Sequence, residues 1–390
     1  MTRVIIAGAR RTAIGSFQGQ FSDVPADELG AAAIRGAIEH AGVSVDEIDD
    51  VLMGCVLPAG IGQAPARLAS RKAGIPVKAG AVTINKVCSS GLKAIMMGHD
   101  AIKAGSADVV VAGGMESMAR SPYLLPKVRD GYRMGHQQVL DHMFTDALQD
   151  PDEGFMMGVY GDKCADKFQF SRAAQDAFTT ETVLRAQRAM DSQFPDEIIP
   201  VTVKSRRGET VVERDEEPPR CIIEKIPQLR PAFSKDGTVT AANASKISDG
   251  AAATVLMSRA KAAQLGIEPI ATIIAHATFS QEPEWFTTAP VGAIARVLDK
   301  AGWTTDDVDL FEINEAFAAV TMAAMKEHKL DHKRVNVNGG ACALGHPVGA
   351  SGARLVVTLI NALQHRGLKR GVASLCNGGG EATALALELP

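Results

Sequence analysis

AIEHAGVSVDEIDDVLMG (Ala37–Gly54) and VLDKAGWTTDDVDLFEIN (Val297–Asn314) align at one constant offset of 260 residues, with Ala41/Ala301, Gly42/Gly302, Asp46/Asp306 and Asp49/Asp309 identical. A second copy of one supersecondary unit in the same chain points to duplication, and repeats constrain a fold before any single element does. Two further echoes stand near the same offset. NKVCSSG from Asn85 is answered near NGGACALGHPVGASG, and VVVAGGMES from Val109 by ASLCNGGGEA. Two similar halves packed about a pseudo-twofold axis bring equivalent loops into one cleft, where strand C-terminal ends and helix N-termini hold ligands. That sets Cys88 opposite the loops of His346 and Cys376.

Outward from these segments the chain reads as α/β. Apolar β-branched runs such as RVIIAGA, DDVLMGCVL, AVTINKV and DVVVAGG alternate with Ala-rich helical stretches, one of them from Ser89 to Ala104. That pattern belongs to largely buried strands covered by helices. From Ala119 to Asp249 the chain instead gains Pro, His, Met and charge clusters, as in RSPYLLPKVRDGYRMGHQQ and SRRGETVVERDEEPPR, with one long helix near Arg172 to Met190. It reads as an inserted, loop-rich domain. The alternation then resumes through IATIIAHA, VDLFEIN, VNVNGG, a helix after Gly349, and GVASLCNGGGEATALALEL. The expected division is 1–118 completed by 250–268, a loop domain 119–249, and a second half 269–390.

With 390 residues, 46% of them hydrophobic and 22% charged, the chain buries its cores without staples. A net charge of −4 and no block of like charges argue against nucleic-acid or membrane partners. The N-terminus begins directly on a strand, and no apolar run nears about 18 residues, which reads as cytoplasmic. Six cysteines without CxxC spacing fit free thiols rather than disulfides or zinc ligation.

Four stretches carry chemistry. Cys88 in NKVCSSG stands between a strand and a buried helix, where the helix dipole and free N–H groups favour the thiolate over the thiol, so that it reads as a nucleophile or as core filler. His346 in GHPVGASG sits among glycines that present an imidazole instead of packing it. In CNGGGEA, Cys376 precedes three glycines able to aim N–H groups at a developing oxyanion, or simply to turn. In NEAF, Asn314 is placed to position a water or carbonyl, beside Glu315, which reads otherwise as a solvated or ion-paired carboxylate.

NKVCSSG, NEAF, GHPVGASGAR and CNGGGEA, in this order and together with VVVAGGMESM and GTVTAANASKISDGAAA, resemble the thiolase family from end to end. The resemblance implies duplicated βαβαβαββ halves in a five-layer αβαβα sandwich with the inserted loop domain over the cleft. It makes Cys88 the acylated nucleophile, His346 its activator and a holder of the enolate oxygen, and Cys376 the acid/base at the α-carbon. Asn314 then holds a water in one oxyanion hole, and the N–H groups of Cys88 and Gly378 form another. Both thiols are expected to have pKa values drawn toward neutrality. The implied activity is reversible condensation of two acetyl-CoA to acetoacetyl-CoA plus CoA, or thiolysis of 3-oxoacyl-CoA, by ping-pong acyl-cysteine chemistry. A broader-range 3-ketoacyl-CoA thiolase and a non-catalytic acyl-CoA or lipid carrier of the same fold are the rivals.

Coenzyme A enters as substrate, with no tightly bound cofactor expected. Its contacts carry over to Arg220, Ser245, Phe233, Met157, Ala316 and Phe317, Arg220 reading alternatively as a surface ion pair. Two departures stand out: Met156 replaces the usual histidine of His-Met-Gly, and Pro218 stands where potassium-responsive relatives use tyrosine, so no metal is expected. The segment Tyr123 to Asp141 resembles the loop that ties dimers into a homotetramer.

Overall fold

The computed structural model describes residues 2–205 and 208–390; Arg206 and Arg207 of the charged stretch lie outside the described residues. Nine strands form one hydrogen-bonded path: β1 (Val4–Thr12), β2 (Asp50–Gly54), β3 (Gly80–Ile84), β4 (Val109–Ser117), β5 (Ser248–Ser258), β6 (Ala271–Ser280), β7 (Leu310–Ile313), β8 (Arg370–Asn377) and β9 (Glu381–Glu388). The helices are α1 (Ala26–Ala41), α2 (Pro65–Lys72), α3 (Ser90–Ala104), α4 (Met157–Phe168), α5 (Arg172–Ala189), α6 (Arg259–Leu265), α7 (Ala289–Ala301), α8 (Ala318–His328), α9 (Ala341–Leu344) and α10 (Ser351–Arg366). Strand order is β7-β8-β9-β6-β1-β5-β4-β2-β3. It divides at a short antiparallel contact between β1 and β6, Ile5 facing Thr272 and Ile6 facing Ala271. On each side the inner pairs are antiparallel and the outer ones parallel.

The repeat is visible in local geometry. Helices α1 and α7 each end on a left-handed glycine, Gly42 at φ 64° and Gly302 at φ 69°, where a side chain would be strained. Each is followed by one 3-10 turn and then by β2 or β7. Asp49 Oδ2 accepts from the N–H groups of Asp108 and Val109 at 2.7 and 2.9 Å. Asp309 Oδ2 accepts from those of Lys369 and Arg370 at 3.0 and 2.8 Å. The duplicated aspartates therefore pin the starts of β4 and β8 in the same way.

Strand alternation sorts the layers. Val109 and Val111 pack outward with α1 and α2, whereas Val110 and Ala112 pack inward with α3 and α10. In the other half Val372 packs outward with α7, and Ala373 and Leu375 face the same central helices. The result is a five-layer αβαβα sandwich. Its middle helices cross on glycine: a Cβ on Gly352 would lie 2.4 Å from the Leu92 nitrogen, and one on Gly91 2.9 Å from that of Ala353. Backbone contact there brings together the loops that precede α3 and α10.

Two elements depart from the sequence reading. The segment 335–340 is not a strand; Asn336 turns left-handed at φ 47°, and its side-chain amide accepts from Ile313 N–H and donates to Ile313 C=O, each at 2.8 Å. A side chain does there what a neighbouring strand's backbone would do. Helix α4 is unexpected, because Gly158 and Gly161 weaken it. Both glycines are required by packing, since a Cβ on Gly158 would meet the Phe233 ring at 2.2 Å and one on Gly161 the Phe317 ring at 3.0 Å.

Candidate active site

Five residues separate β3 from α3, and the turn between them places Val87 at φ 47°. A β-branched residue in that region is strained and persists only where its surroundings over-determine it. Asn85 Oδ1 accepts from Val87 N–H at 2.9 Å, and Ser90 Oγ accepts from Lys86 N–H at 2.8 Å while donating to Val87 C=O at 2.7 Å. Lys86 pairs with Glu381, and Thr383 Oγ1 donates to Ser89 Oγ at 3.0 Å. The turn carrying Cys88 is thus clamped to the β8–β9 hairpin, which carries Cys376 and Gly378. The N–H groups of Gly378 and of Cys88 itself point at the Cys88 sulfur.

Cys376, near the end of β8, is fully buried and close enough to Cys88 for that neighbour to disfavour its ionisation. It packs in an apolar cluster with Tyr160, Phe286, Ala316 and Phe317, against which Met157 and Phe233 lean. His346 follows Gly345, whose φ of 108° and whose Cβ position, 2.1 Å from Ser248 Oγ, admit only glycine. Its Nδ1 lies 2.5 Å from Ser351 Oγ, which donates its single proton to Pro347 C=O at 3.0 Å. The hydroxyl must therefore accept from Nδ1–H, which leaves the lone pair on Nε2. Nε2 is buried with no hydrogen-bond partner among the described residues.

The His346 loop is held by a carboxylate. Glu116 of β4, fully buried, accepts from the N–H groups of Val56 at 2.9 Å, Leu57 at 3.1 Å and Gly349 at 2.9 Å. The loop also abuts β4 directly, for a Cβ on Gly114 would sit 2.0 Å from Gly349 O. Asn314 follows β7, its N–H donating to Ser374 C=O at 3.0 Å. Arg354, which has no acceptor, donates to Asn314 Oδ1 at 3.5 Å, so Nδ2 faces the other way. That Nδ2 has no partner among the described residues. Glu315 is neither solvated nor ion-paired; buried, it accepts from Thr182 Oγ1, Asn336 Nδ2 and Cys342 N–H at 2.8, 2.8 and 3.1 Å.

The thiols differ from expectation. Burial pushes Cys88 up to about 11, against the opposing pull of the Gly378 and Cys88 N–H groups, and pushes Cys376 well above its ordinary range. Burial and then the Arg354 charge hold His346 down to about 3. Desolvation outweighs the helix dipole at these groups, which favours the neutral form of each.

A cleft of about 500 Å³ is lined by Met156, Met157, Arg220, Phe233, Ser245 and Phe317, among others. It adjoins the Gly378 loop, since a Cβ on Gly378 would touch Met157 Cε at 3.4 Å. Ala316 contributes its carbonyl, which accepts from Ser245 N–H at 3.0 Å. Arg220 stands at the rim, half-exposed, paired with Glu216 at 3.1 Å and donating to Ser16 Oγ at 3.0 Å. Sequence reasoning passed over Glu116, Ser351 and Arg354. The signal existed for two of them: a carboxylate inside the apolar strand VVVAGGMES and a guanidinium inside the apolar helix SGARLVVTLI.

Comparison with known proteins agrees across the whole chain. Residues 4–260 match the family model described as Thiolase, N-terminal domain, and residues 267–389 that described as Thiolase, C-terminal domain. Acetyl-CoA acetyltransferase of Pseudomonas aeruginosa is 48% identical over 390 residues, covering 99% of both chains. A probable acetyl-CoA acyltransferase of Staphylococcus aureus is 46% identical over 387 residues, covering 98% of both. The crystal structure of Bacillus anthracis acetyl-CoA acetyltransferase superposes with a TM-score of 0.98 at 40% identity, covering 100% of this chain and 99% of that one.

Proposed function

The chain belongs to the thiolase family, and from that premise we propose that it is an acetyl-CoA acetyltransferase working through an acetyl-Cys88 intermediate. The observation that carries the reading is that Cys88, with the Gly378 N–H on its sulfur, lies close to Cys376, which packs against the Met157, Phe233 and Phe317 side chains that line one apolar cleft.

The chemistry closes on these groups. His346 Nε2, which bears the lone pair, takes the Cys88 proton as the sulfur attacks the thioester carbonyl. The tetrahedral oxyanion is held by the Cys88 and Gly378 N–H groups. Coenzyme A leaves as a thiolate and takes the Cys376 proton, for which a thiol with a raised pKa is still a competent donor to another thiolate. Cys376, now a thiolate, removes the α-proton of a second acetyl-CoA. The enolate oxygen accepts from protonated His346 and from a water held by Asn314 Nδ2. The enolate carbon attacks acetyl-Cys88, the Cys88 thiolate leaves and recovers its proton from His346, and all three groups return to their starting state. Every step runs backwards, so thiolysis of 3-oxoacyl-CoA uses the same machinery.

The cleft supports coenzyme A as the substrate carrier, with Met157, Phe233, Ala316 and Phe317 around the pantetheine arm, Ser245 hydrogen-bonding to it and Arg220 near the nucleotide end. Met156 puts a flexible apolar side chain where a histidine is usual, which favours some tolerance of longer acyl chains. The segment Tyr123–Asp141 exposes Tyr123, Leu125, Val128, Met134 and Val139. That much apolar surface on one excursion supports a homotetramer. Among the described residues no helix is long and apolar enough to cross a membrane, and a cytoplasmic setting with free thiols completes the proposal.

Incubation with acetyl-CoA followed by peptide mass analysis tests it. Acetyl on the Cys88 peptide, with faster turnover of acetoacetyl-CoA than of longer 3-oxoacyl-CoA, is expected. An unmodified Cys88 peptide leaves only a carrier of the same fold, and a preference for long chains makes the enzyme a broader-range degradative thiolase.

A further inference from the structure

Away from the catalytic loops, the last turns of α3 meet β6 across the seam between the two halves. His99 and Asp100 project from the helix and His276 from the strand. His276 Nε2 lies 3.1 Å from His99 Nδ1 and 2.9 Å from Asp100 Oδ1, and His99 Nδ1 lies 3.0 Å from the same oxygen. Both imidazoles are largely buried and the carboxylate faces solvent.

Hydrogen bonding alone does not satisfy this triangle. If both facing nitrogens carry protons they both donate to Asp100, and then stand donor against donor. If one is bare, its lone pair faces a carboxylate oxygen. A cation capping the triangle, out of its plane, makes all three contacts attractive. For ligand atoms about 2.1 Å from a metal at right angles, neighbouring donors are about 3.0 Å apart, the spacing of one face of an octahedron. Two histidines and one carboxylate on such a face, with the remaining positions open to water, suit a divalent first-row transition ion.

We propose that His99, Asp100 and His276 bind such an ion, bracing α3, the helix that begins two residues after Cys88, against the first strand of the other half. Hard ions such as Ca²⁺ and Mg²⁺, which need several carboxylates and gain little from nitrogen, fit this donor set poorly.

The test is titration of EDTA-treated protein with Co²⁺, followed by visible spectra and by the thermal midpoint. One equivalent per chain is expected, with weak d–d bands of nitrogen and oxygen ligation and a midpoint that rises with Co²⁺. His276→Gln and Asp100→Asn should bind more than about tenfold more weakly, the lower end of what losing even an outer partner costs, and should lose the thermal shift. Their acetyl transfer in the absence of metal should match the parent, which shows that they are folded. The proposal is overturned by no stoichiometric binding up to 100 µM Co²⁺, by an intense near-ultraviolet thiolate band assigning the ion to cysteine, or by unchanged binding in the variants.

Discussion

Removal of one hydroxyl tests how His346 is set for its task. In Ser351→Ala, Pro347 C=O keeps partners, because the N–H groups of Ala350 and Ser351 both donate to it, at 2.9 and 3.0 Å. The loss therefore falls on His346 Nδ1–H, which becomes a buried donor with nothing to bond. An orphaned donor costs about 1–3 kcal/mol. The ring escapes part of that cost by moving its proton to Nε2, which is the tautomer unable to take the Cys88 proton. At 1.36 kcal/mol per tenfold, the acylation rate should fall about 5- to 150-fold. Rapid-quench measurement of acetyl-Cys88 formation in a single turnover reads this directly, without product release in the way. Ser351→Thr keeps the acceptor and should recover most of the rate. If Ser351→Ala acylates at the parent rate with the same pH profile, the tautomer argument is wrong.

Cys376→Ala should still become acetylated on Cys88 but form no carbon–carbon bond; full condensation turnover in that variant would remove Cys376 from the proton transfer. Gly352→Ala drives a Cβ to 2.4 Å from the Leu92 backbone nitrogen, and overpacking of that kind costs about 1–3 kcal/mol. Because the strain spreads α3 from α10, acylation should fall more than thermal stability does, and a variant losing stability alone would show that the crossing does not set the catalytic distance. Burial raises the Glu116 carboxyl from 4.5 to about 7, so the unfolded chain loses that proton first and the folded state loses stability as pH climbs through this window. Glu116→Gln has no proton to lose. Its stability relative to the parent should improve between pH 5 and pH 8 by differential scanning calorimetry, and an unchanged difference would contradict the assignment.

The duplication made the architecture legible because its markers are chemical. A left-handed glycine ends each helix, and an aspartate caps the start of a strand; neither task tolerates many residues, so both copies kept them at one offset. The candidate catalytic loops were legible for a related reason, since Gly91, Gly349 and Gly352 stand where backbone meets backbone and Gly345 where the Ser248 side chain leaves no room for a Cβ. What stayed hidden depends on distant partners. Helix α4 has poor propensity and forms because Phe233 and Phe317 need its glycines. The 335–340 segment has a strand's composition, yet Asn336 supplies the pairing from its side chain. Glu116 reads as one more residue of a buried strand until the three N–H groups that converge on it are seen.

Ionisation is where sequence and structure part furthest, and the difference bears on how the site works. A cysteine before a helix reads as a ready thiolate, yet burial leaves Cys88 at about 11 and His346 at about 3, so the resting pair is thiol and neutral imidazole. On the proposed mechanism, a site that kept a thiolate beside an imidazolium at rest would already have spent the stabilisation that its N–H groups and Asn314 would offer to developing charge. Held neutral, those groups act only when the thioester brings an oxygen able to take the charge. Alkylation of Cys88 by iodoacetamide in substrate-free enzyme should therefore be slow at pH 7 and keep rising through pH 9, following the small thiolate fraction. A rate that levels off by pH 7 would mean the thiolate is preformed, and the oxyanion donors would then be stabilising sulfur before substrate arrives.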